Sequence, residues 1–437
     1  RIERIAPRID VATAEAEVGE VEVIDAAGKY VFPGFIDPHT HVYLPVAGTE
    51  AKDDFESATR AALLGGTTCI FDFIGPARDQ APLDALEAWE SRCAGKAHCD
   101  VGFHLAVTRL DEHTEPQIRR IVSDHGHRSF KIYLAYDGVG IDDETLFDCL
   151  ELAGELGVLT MGHCENRALV NGLSRRLRAS GKLAPRWHYH SRPPRVEALG
   201  STLLLSFAEL LEVPVYLVHV SCAEALEEVQ RARLRGVDAS VETLIQFLLL
   251  DRSRTEVDDF EAAKYVASPP LRDATQRAVL WNALQQGAID TLATDHAPFD
   301  FCGQKDLGRH DFSCIPNGMP GIEDRIKLLW THGVAKGRLD ANRFVDVAST
   351  RAAKLFDLYP RKGTIQPGAD ADLVVWDPNH ESVIRAEAQA MKVDYNAFEG
   401  FAIEGRAETV TVRGEVAVRN GVFCAAGGRG RILRREG

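Results

Sequence analysis

VFPGFIDPHTH (31–41) is the stretch on which the reading of this chain turns. It opens as a short apolar run and closes on His39-Thr40-His41. Alternate residues of an extended segment point to the same side, so these two imidazoles can grip one metal ion. Asp37 stands just upstream, placed to orient the loop or a ligand ring. Taken alone, the pair is equally well two ordinary polar loop residues. What separates the readings is whether other polar residues arrive at the same place from distant parts of the chain.

Working outward, the sequence alternates apolar runs with amphipathic stretches. Strands are predicted at 31–37, 67–73, 101–107, 129–134, 158–163, 213–220, 237–242 and 289–294. Their short, apolar interiors suit strands covered on both faces. Helical patterning fills 52–65, 83–93, 114–123, 143–156, 195–212, 222–235 and 272–287, with Asp142 or Asp143 capping the fourth of these. Segments near 319–335 and 342–357 complete the set. Eight strands with helices between them is the count of a (β/α)8 TIM barrel. A doubly wound sheet is the alternative; it usually has fewer strands and gathers its site at one switch point.

In a barrel the C-terminal strand ends converge on one mouth. Strand five ends at Gly162-His163, strand six at His219, and strand eight runs into Thr294-Asp295-His296. His39, His41, His163, His219 and Asp295 therefore predict a metal site. Lys131 lies inside SFKIYL (129–134), where an ammonium is unfavourable unless paired or modified. A lysine reaching the rim is the plain explanation. A lysine carboxylated by carbon dioxide, and so turned into a two-oxygen anionic ligand, is the functional one. Zinc suits imidazole and carboxylate ligands with one position open for water, and two such ions can share a hydroxide. Cys164 and Cys222 read as small buried residues rather than ligands.

The chain has 437 residues, 45% of them apolar, enough for a large core and a second, smaller unit. With 50 Lys and Arg against 65 Asp and Glu, its formal charge of -15 argues against nucleic acid or an anionic membrane as partner. No apolar stretch reaches the ~18 residues of a membrane span, and the opening RIERIAPRID lacks the hydrophobic run of a signal peptide. Nine scattered cysteines without a C-x-x-C fit a reducing cytoplasm better than a disulfide scaffold. The two chain ends read differently from the barrel. RIERIA and VEVIDA are strand-like, as is ADLVVWDP (371–378), and TVTVRGEVAVRNGVF (409–423) reads as two strands joined at Gly414 with a turn at Asn420-Gly421. A small β-sandwich domain built from 1–31 and 361–437 is expected, with the barrel at 32–360.

At these residues the chain resembles the hydantoinase/dihydropyrimidinase branch, D-hydantoinase-like, of the amidohydrolase superfamily, over nearly its whole length. FPGFIDPHTH (32–41), KIYLAYDG (131–138), GHCEN (162–166), LVHVS (217–221) and ATDHAPF (293–299) match its metal motifs; SPPLR (268–272) and IPNGMPGIE (315–323) are the most branch-specific. The resemblance implies hydrolytic ring opening of a cyclic amide, a 5-substituted hydantoin or a 5,6-dihydropyrimidine, to an N-carbamoyl amino acid, by a hydroxide bridging two metal ions. It implies His39, His41, N-carboxylated Lys131 and Asp295 around the more buried ion, and Lys131, His163 and His219 around the other. Zinc is the first choice, with manganese or cobalt as alternatives. Tyr136 would donate to the developing oxyanion, Ser268 and Asn317 would bind the ring's amide groups, and Asp295 would act first as base and then as acid.

The resemblance further implies a homotetramer, or failing that a dimer, with the tail GGRGRILRREG (427–437) reaching a neighbouring subunit or lying in solvent. Departures from the branch pattern are Leu244-Ile245 where Cys-Pro is common, Phe247 for Tyr and Ala297 for Cys; none is a proposed ligand. Tyr43, Leu44 and the loop after Tyr136 are candidates for the wall facing the substrate's side chain, and their apolar character favours bulky or aromatic 5-substituents. Two alternatives remain. One is an allantoinase or dihydroorotase; the latter would carry an arginine after the His-x-His motif, where Val42-Tyr43-Leu44 stands. The other is a non-catalytic assembly protein related to dihydropyrimidinase, which would have lost ligands that this chain keeps.

Overall fold

A computed structural model describes residues 1–435. Eight parallel strands follow one another around a single sheet: Phe35–Thr40, Thr67–Ile74, Asp100–Ala106, Ser129–Tyr133, Leu159–His163, Val215–Leu217, Ala239–Leu244 and Thr291–Ala293. The first and last meet through a parallel bridge between Thr40 and His296, and the His41 N–H donates to the His296 carbonyl at 2.8 Å. This is the predicted (β/α)8 barrel. Phe71, Met161, Tyr216 and Phe356 fill its interior, so the barrel is a packed core with its openings only at the ends.

The helices between strands fall where the periodicity places them, within a few residues. Asp54 closes a capping box with Ser57 at the start of Phe55–Leu64, and Asp142 accepts from the Thr145 N–H at 2.9 Å to cap Asp143–Leu156. The segment predicted to be helical from 319 becomes so only at Arg325. Residues ahead of it are drawn to the barrel mouth, where the Gly321 N–H donates to His296 Nδ1 at 3.2 Å.

Two expectations are corrected. VFPGFID is not one strand. Tyr30–Pro33 pairs antiparallel with Leu373–Trp376 of a second sheet, and Phe35 begins the barrel. The switch occurs at Gly34, where a Cβ would stand 1.9 Å from Thr68 Oγ1, so only glycine allows the crossing. RIERIA and VEVIDA form no strands. Ile2 exchanges two 2.8 Å backbone bonds with Gly368 and Ala369, but Val23 is 64% exposed and nothing covers a strand face there. A helix, Val11–Val18, capped by Asp10, lies between them instead.

The C-terminal strands form as read. Leu373–Val383, Ala402–Val412, Glu415–Arg419 and Val422–Phe423 join Tyr30–Pro33 in a five-stranded antiparallel sheet, the small β-sandwich domain made by the two ends of the chain. Aromatic rings tie it to the barrel helices: Trp330 lies 5.5 Å from Trp376 and 6.0 Å from Phe32, centroid to centroid. Asp100, Asp370 and Asp372 cluster at this junction. The Lys362 ammonium stands among them, 2.8 Å from Asp100, 3.3 Å from Asp370 and 2.5 Å from Asp372, and Arg413 pairs with Asp100. With Arg361 4.0 Å from Asp370, three cations face the three carboxylates, and the cluster is a charge-balanced joint rather than a metal centre.

As far as it is described, the tail is anchored along the barrel, while Arg429, Arg431 and Arg434 stay exposed. Leu433 donates to the Val101 carbonyl at 2.8 Å and Arg435 to the Gly126 carbonyl at 3.0 Å, with Leu433 buried against the barrel floor. Residues 436–437 of the expected tail lie outside the described residues. All nine cysteines are free, and among the described residues no helix is long and apolar enough to cross a membrane.

Candidate active site

The C-terminal ends of the strands bring every candidate residue to one cavity. From the first strand, His39 Nε2 comes within 3.2 Å of Asp295 Oδ1, and His41 Nε2 within 2.9 Å of the same oxygen. At the end of the fifth strand and just beyond the sixth, His163 Nδ1 and His219 Nε2 face each other at 2.9 Å. Lys131, from the fourth, is fully buried, its ammonium 4.8 Å from the Phe73 ring and 5.2 Å from the Tyr133 ring. Among the described residues it makes no ion pair. His219, Asp295 and Tyr136 have φ of 42°, 50° and 67°. This left-handed backbone is costly for residues with side chains and is tolerated where function fixes it.

Carboxylates outside the cluster hold the rings. His39 Nδ1 bonds Glu242 Oε1 at 2.7 Å, and the same oxygen accepts from the His219 backbone N–H at 2.9 Å. Tyr216 donates to the other Glu242 oxygen at 2.8 Å. His163 Nε2 bonds Glu165 at 2.8 Å, and Arg192 pairs with that carboxylate. Asp37 takes the Thr294 hydroxyl at 2.7 Å and the Thr294 N–H at 3.2 Å. It also accepts from the His39 N–H at 3.3 Å, so it orients its own loop as expected and the strand-eight loop besides, but no ligand ring. His296 is satisfied on both nitrogens by Asp53 and Gly321.

Burial sets the protonation states. It depresses His39 and His219 well below the ordinary imidazole range, and lowers His163 too, with the Lys131 charge acting in the same sense on all three. Neutral imidazoles with a free lone pair result. Burial alone would raise the Asp295 carboxyl, but His39 and His41 overcome it and hold it below the usual carboxylate range. Burial brings Lys131 down to about 8, against the pull of Asp295 and Glu242.

The cavity has a volume of about 440 Å³. Tyr136 and His163 rings lie 5.0 Å apart, and burial pushes the Tyr136 hydroxyl up to about 12, so it stays a donor. Ser268 and Asn317 line the cavity too, the Asn317 amide donating to Ser268 Oγ at 2.9 Å, and the Ser268 side chain meets Tyr136. Leu44, Val46 and Val139 form an apolar wall. Tyr43, expected there, instead turns outward to pack 5.8 Å from Phe55 and beneath Arg92.

The amidohydrolase family model matches residues 30–417. A D-hydantoinase from Geobacillus stearothermophilus is 46% identical over 429 residues, covering 98% of this chain and 91% of that protein. The dihydropyrimidinase of Rattus norvegicus is 36% identical over 419 residues, covering 95% and 80%. A solved D-hydantoinase (dihydropyrimidinase) from Thermus sp. superposes with a TM-score of 0.93 at 52% identity, covering 95% of this chain and 90% of that one. This chain belongs to the hydantoinase/dihydropyrimidinase branch of the amidohydrolase family.

The donor set of this amidohydrolase fits a pair of divalent ions. His39 Nε2 is buried without a hydrogen-bond partner, and two imidazole nitrogens point at each other at 2.9 Å, an arrangement that a shared cation would resolve. Cys164 is buried beside the cluster, and burial pushes its thiol up, so it offers no thiolate. The positioning carboxylates Glu242 and Glu165 are what reading the sequence for ligands missed. Their signal was present: Glu165 follows His163 by two residues, and Glu242 is a carboxylate inside the fully buried strand Ala239–Leu244.

Proposed function

We propose that this amidohydrolase opens the ring of a 5-substituted hydantoin, preferably of D configuration, or of a 5,6-dihydropyrimidine, giving an N-carbamoyl amino acid. The observation that carries the reading is the convergence of four imidazoles, Asp295 and an ion-pair-free buried lysine on one cavity. The D-hydantoinases and dihydropyrimidinase similar to this chain support the substrate class. The cavity suits a small planar ring carrying an apolar or aromatic substituent against Leu44, Val46 and Val139.

His39, His41, Lys131 and Asp295 would hold one ion; Lys131, His163 and His219 would hold the other. When bound, two zinc ions activate water at neutral pH and polarise the amide carbonyl. Carboxylation of Lys131 would replace a buried cation that makes no ion pair among the described residues by an anion able to serve both ions, and its lowered pKa makes the neutral amine needed for that reaction accessible. Asp295 takes the proton of the attacking water and passes it to the departing ring nitrogen. Tyr136 donates its hydroxyl to the carbonyl oxygen as negative charge develops there. Ser268 and Asn317 hold the ring's amide edge. The free cysteines support a reducing, cytoplasmic setting, and a homotetramer is the proposed assembly.

Lys131→Ala tests the reading. It should lose bound metal and at least about a thousandfold in kcat/KM, with partial recovery on adding a small carboxylic acid. Wild-type metal content and activity in that variant would sink the proposed role of the lysine.

A further inference from the structure

Lys305 is fully buried and makes no ion pair among the described residues. Its ammonium donates instead to three backbone carbonyls: Val266 at 3.1 Å, Pro316 at 2.7 Å and Gly318 at 2.8 Å. These carbonyls belong to two loops. One delivers Ser268 to the cavity and the other delivers Asn317. The loops also meet directly, the Gly318 N–H donating to the Val266 carbonyl at 3.0 Å.

Three carbonyl oxygens turned toward one point repel one another unless a donor with three N–H groups stands between them. An ammonium matches that number and carries the charge that favours it. Burying it is expensive: desolvation alone brings Lys305 down to about 7. The Pro316–Asn317 peptide is planar and trans, so fixing the Pro316 carbonyl on Lys305 turns the Asn317 N–H to the opposite side. That N–H has no hydrogen-bond partner among the described residues, and Asn317 lines the cavity.

We propose that Lys305 is a positioning residue for substrate: by gathering these carbonyls it holds the Ser268 and Asn317 peptides in the register that a planar cyclic amide requires. The proposal rests on the ring-opening function above. Lys305 does not line the cavity and acts only through the two loops. The metal-ligand candidates are carried by the barrel strands and their immediate ends, so the loss of Lys305 leaves them in place.

The test uses the full-length, metal-loaded enzyme with Lys305→Met and Lys305→Gln. KM for a 5-substituted hydantoin should rise about ten- to a hundredfold in the methionine variant, the loss expected for hydrogen bonds from a charged donor, and less in the glutamine variant, which keeps two donors. The kcat should stay within about threefold and the metal content should stay unchanged. A KM unchanged in both variants overturns the proposal. So does a parallel loss of kcat and bound metal, or failure of both variants to fold, since a local clamp leaves the barrel standing. If the wild-type enzyme opens no cyclic amide, the functional reading falls and the clamp with it; if it does and the variants match it, the clamp falls alone.

Discussion

Asp72 lines the active-site cavity with no cation to balance it among the described residues. It accepts from the Val42 N–H at 2.9 Å and from Trp89 Nε1 at 3.2 Å, and burial outweighs both and pushes its carboxyl up to about 8. The folded protein therefore keeps a proton that the unfolded chain, with an aspartate near ~4, has lost. Between those values the folded state binds more protons, so this group's contribution to stability is full below about pH 4 and declines as pH rises toward 8. Asp72→Asn, neutral throughout, should flatten the fall in melting temperature between pH 5 and 8 by about 2 °C or more; parallel profiles for the two proteins would contradict this. At the scale of single residues the ligand candidates were legible because the histidines and Asp295 stand at or just past the C-terminal ends of apolar strands, and Lys131 interrupts the middle of one. Asp72 and Lys305 were not. What marks them is the set of atoms around their charged groups, and those atoms come from segments far away in sequence.

Among the elements, the seventh barrel strand has a role beyond closing the sheet. Glu242 joins His39 of the first strand to the backbone of His219 after the sixth, so one carboxylate sets the distance between rings assigned to different ions. Glu242→Gln should weaken metal binding by about ten- to a hundredfold in competition with a chelator; an unchanged affinity would mean that packing alone orients the rings. Strand and helix order was readable because both periodicities are strong in a barrel covered on both sides. Two elements escaped. Arg167–Ala179 carries apolar residues at helical spacing, Val170, Leu173 and Leu177, but it is an extra helix in the connection that already holds the predicted 195–212, so a scheme of one helix per connection passes over it. VFPGFID is apolar on both sides of Gly34, so nothing in its hydrophobicity marks the passage from one sheet to the other.

For the whole molecule, the joint between barrel and β-sandwich domain rests on Lys362 among three aspartates and on the Trp330–Trp376 contact. Lys362→Met would leave buried carboxylates uncompensated and should cost about 3–5 kcal/mol, read as a lower denaturation midpoint; an unaltered midpoint would show that Arg413 suffices. The sequence announced both units but not this joint, which forms only when residues 100, 362 and 372 meet. The chemistry of the molecule is tested most directly by offering the metal-loaded enzyme D- and L-5-substituted hydantoins, dihydrouracil, allantoin and dihydroorotate, and identifying the products by mass. The account predicts N-carbamoyl amino acids from the hydantoins, the D form favoured, or from dihydrouracil. Turnover of allantoin or dihydroorotate alone, or no ring opening with two metal ions bound, would contradict it.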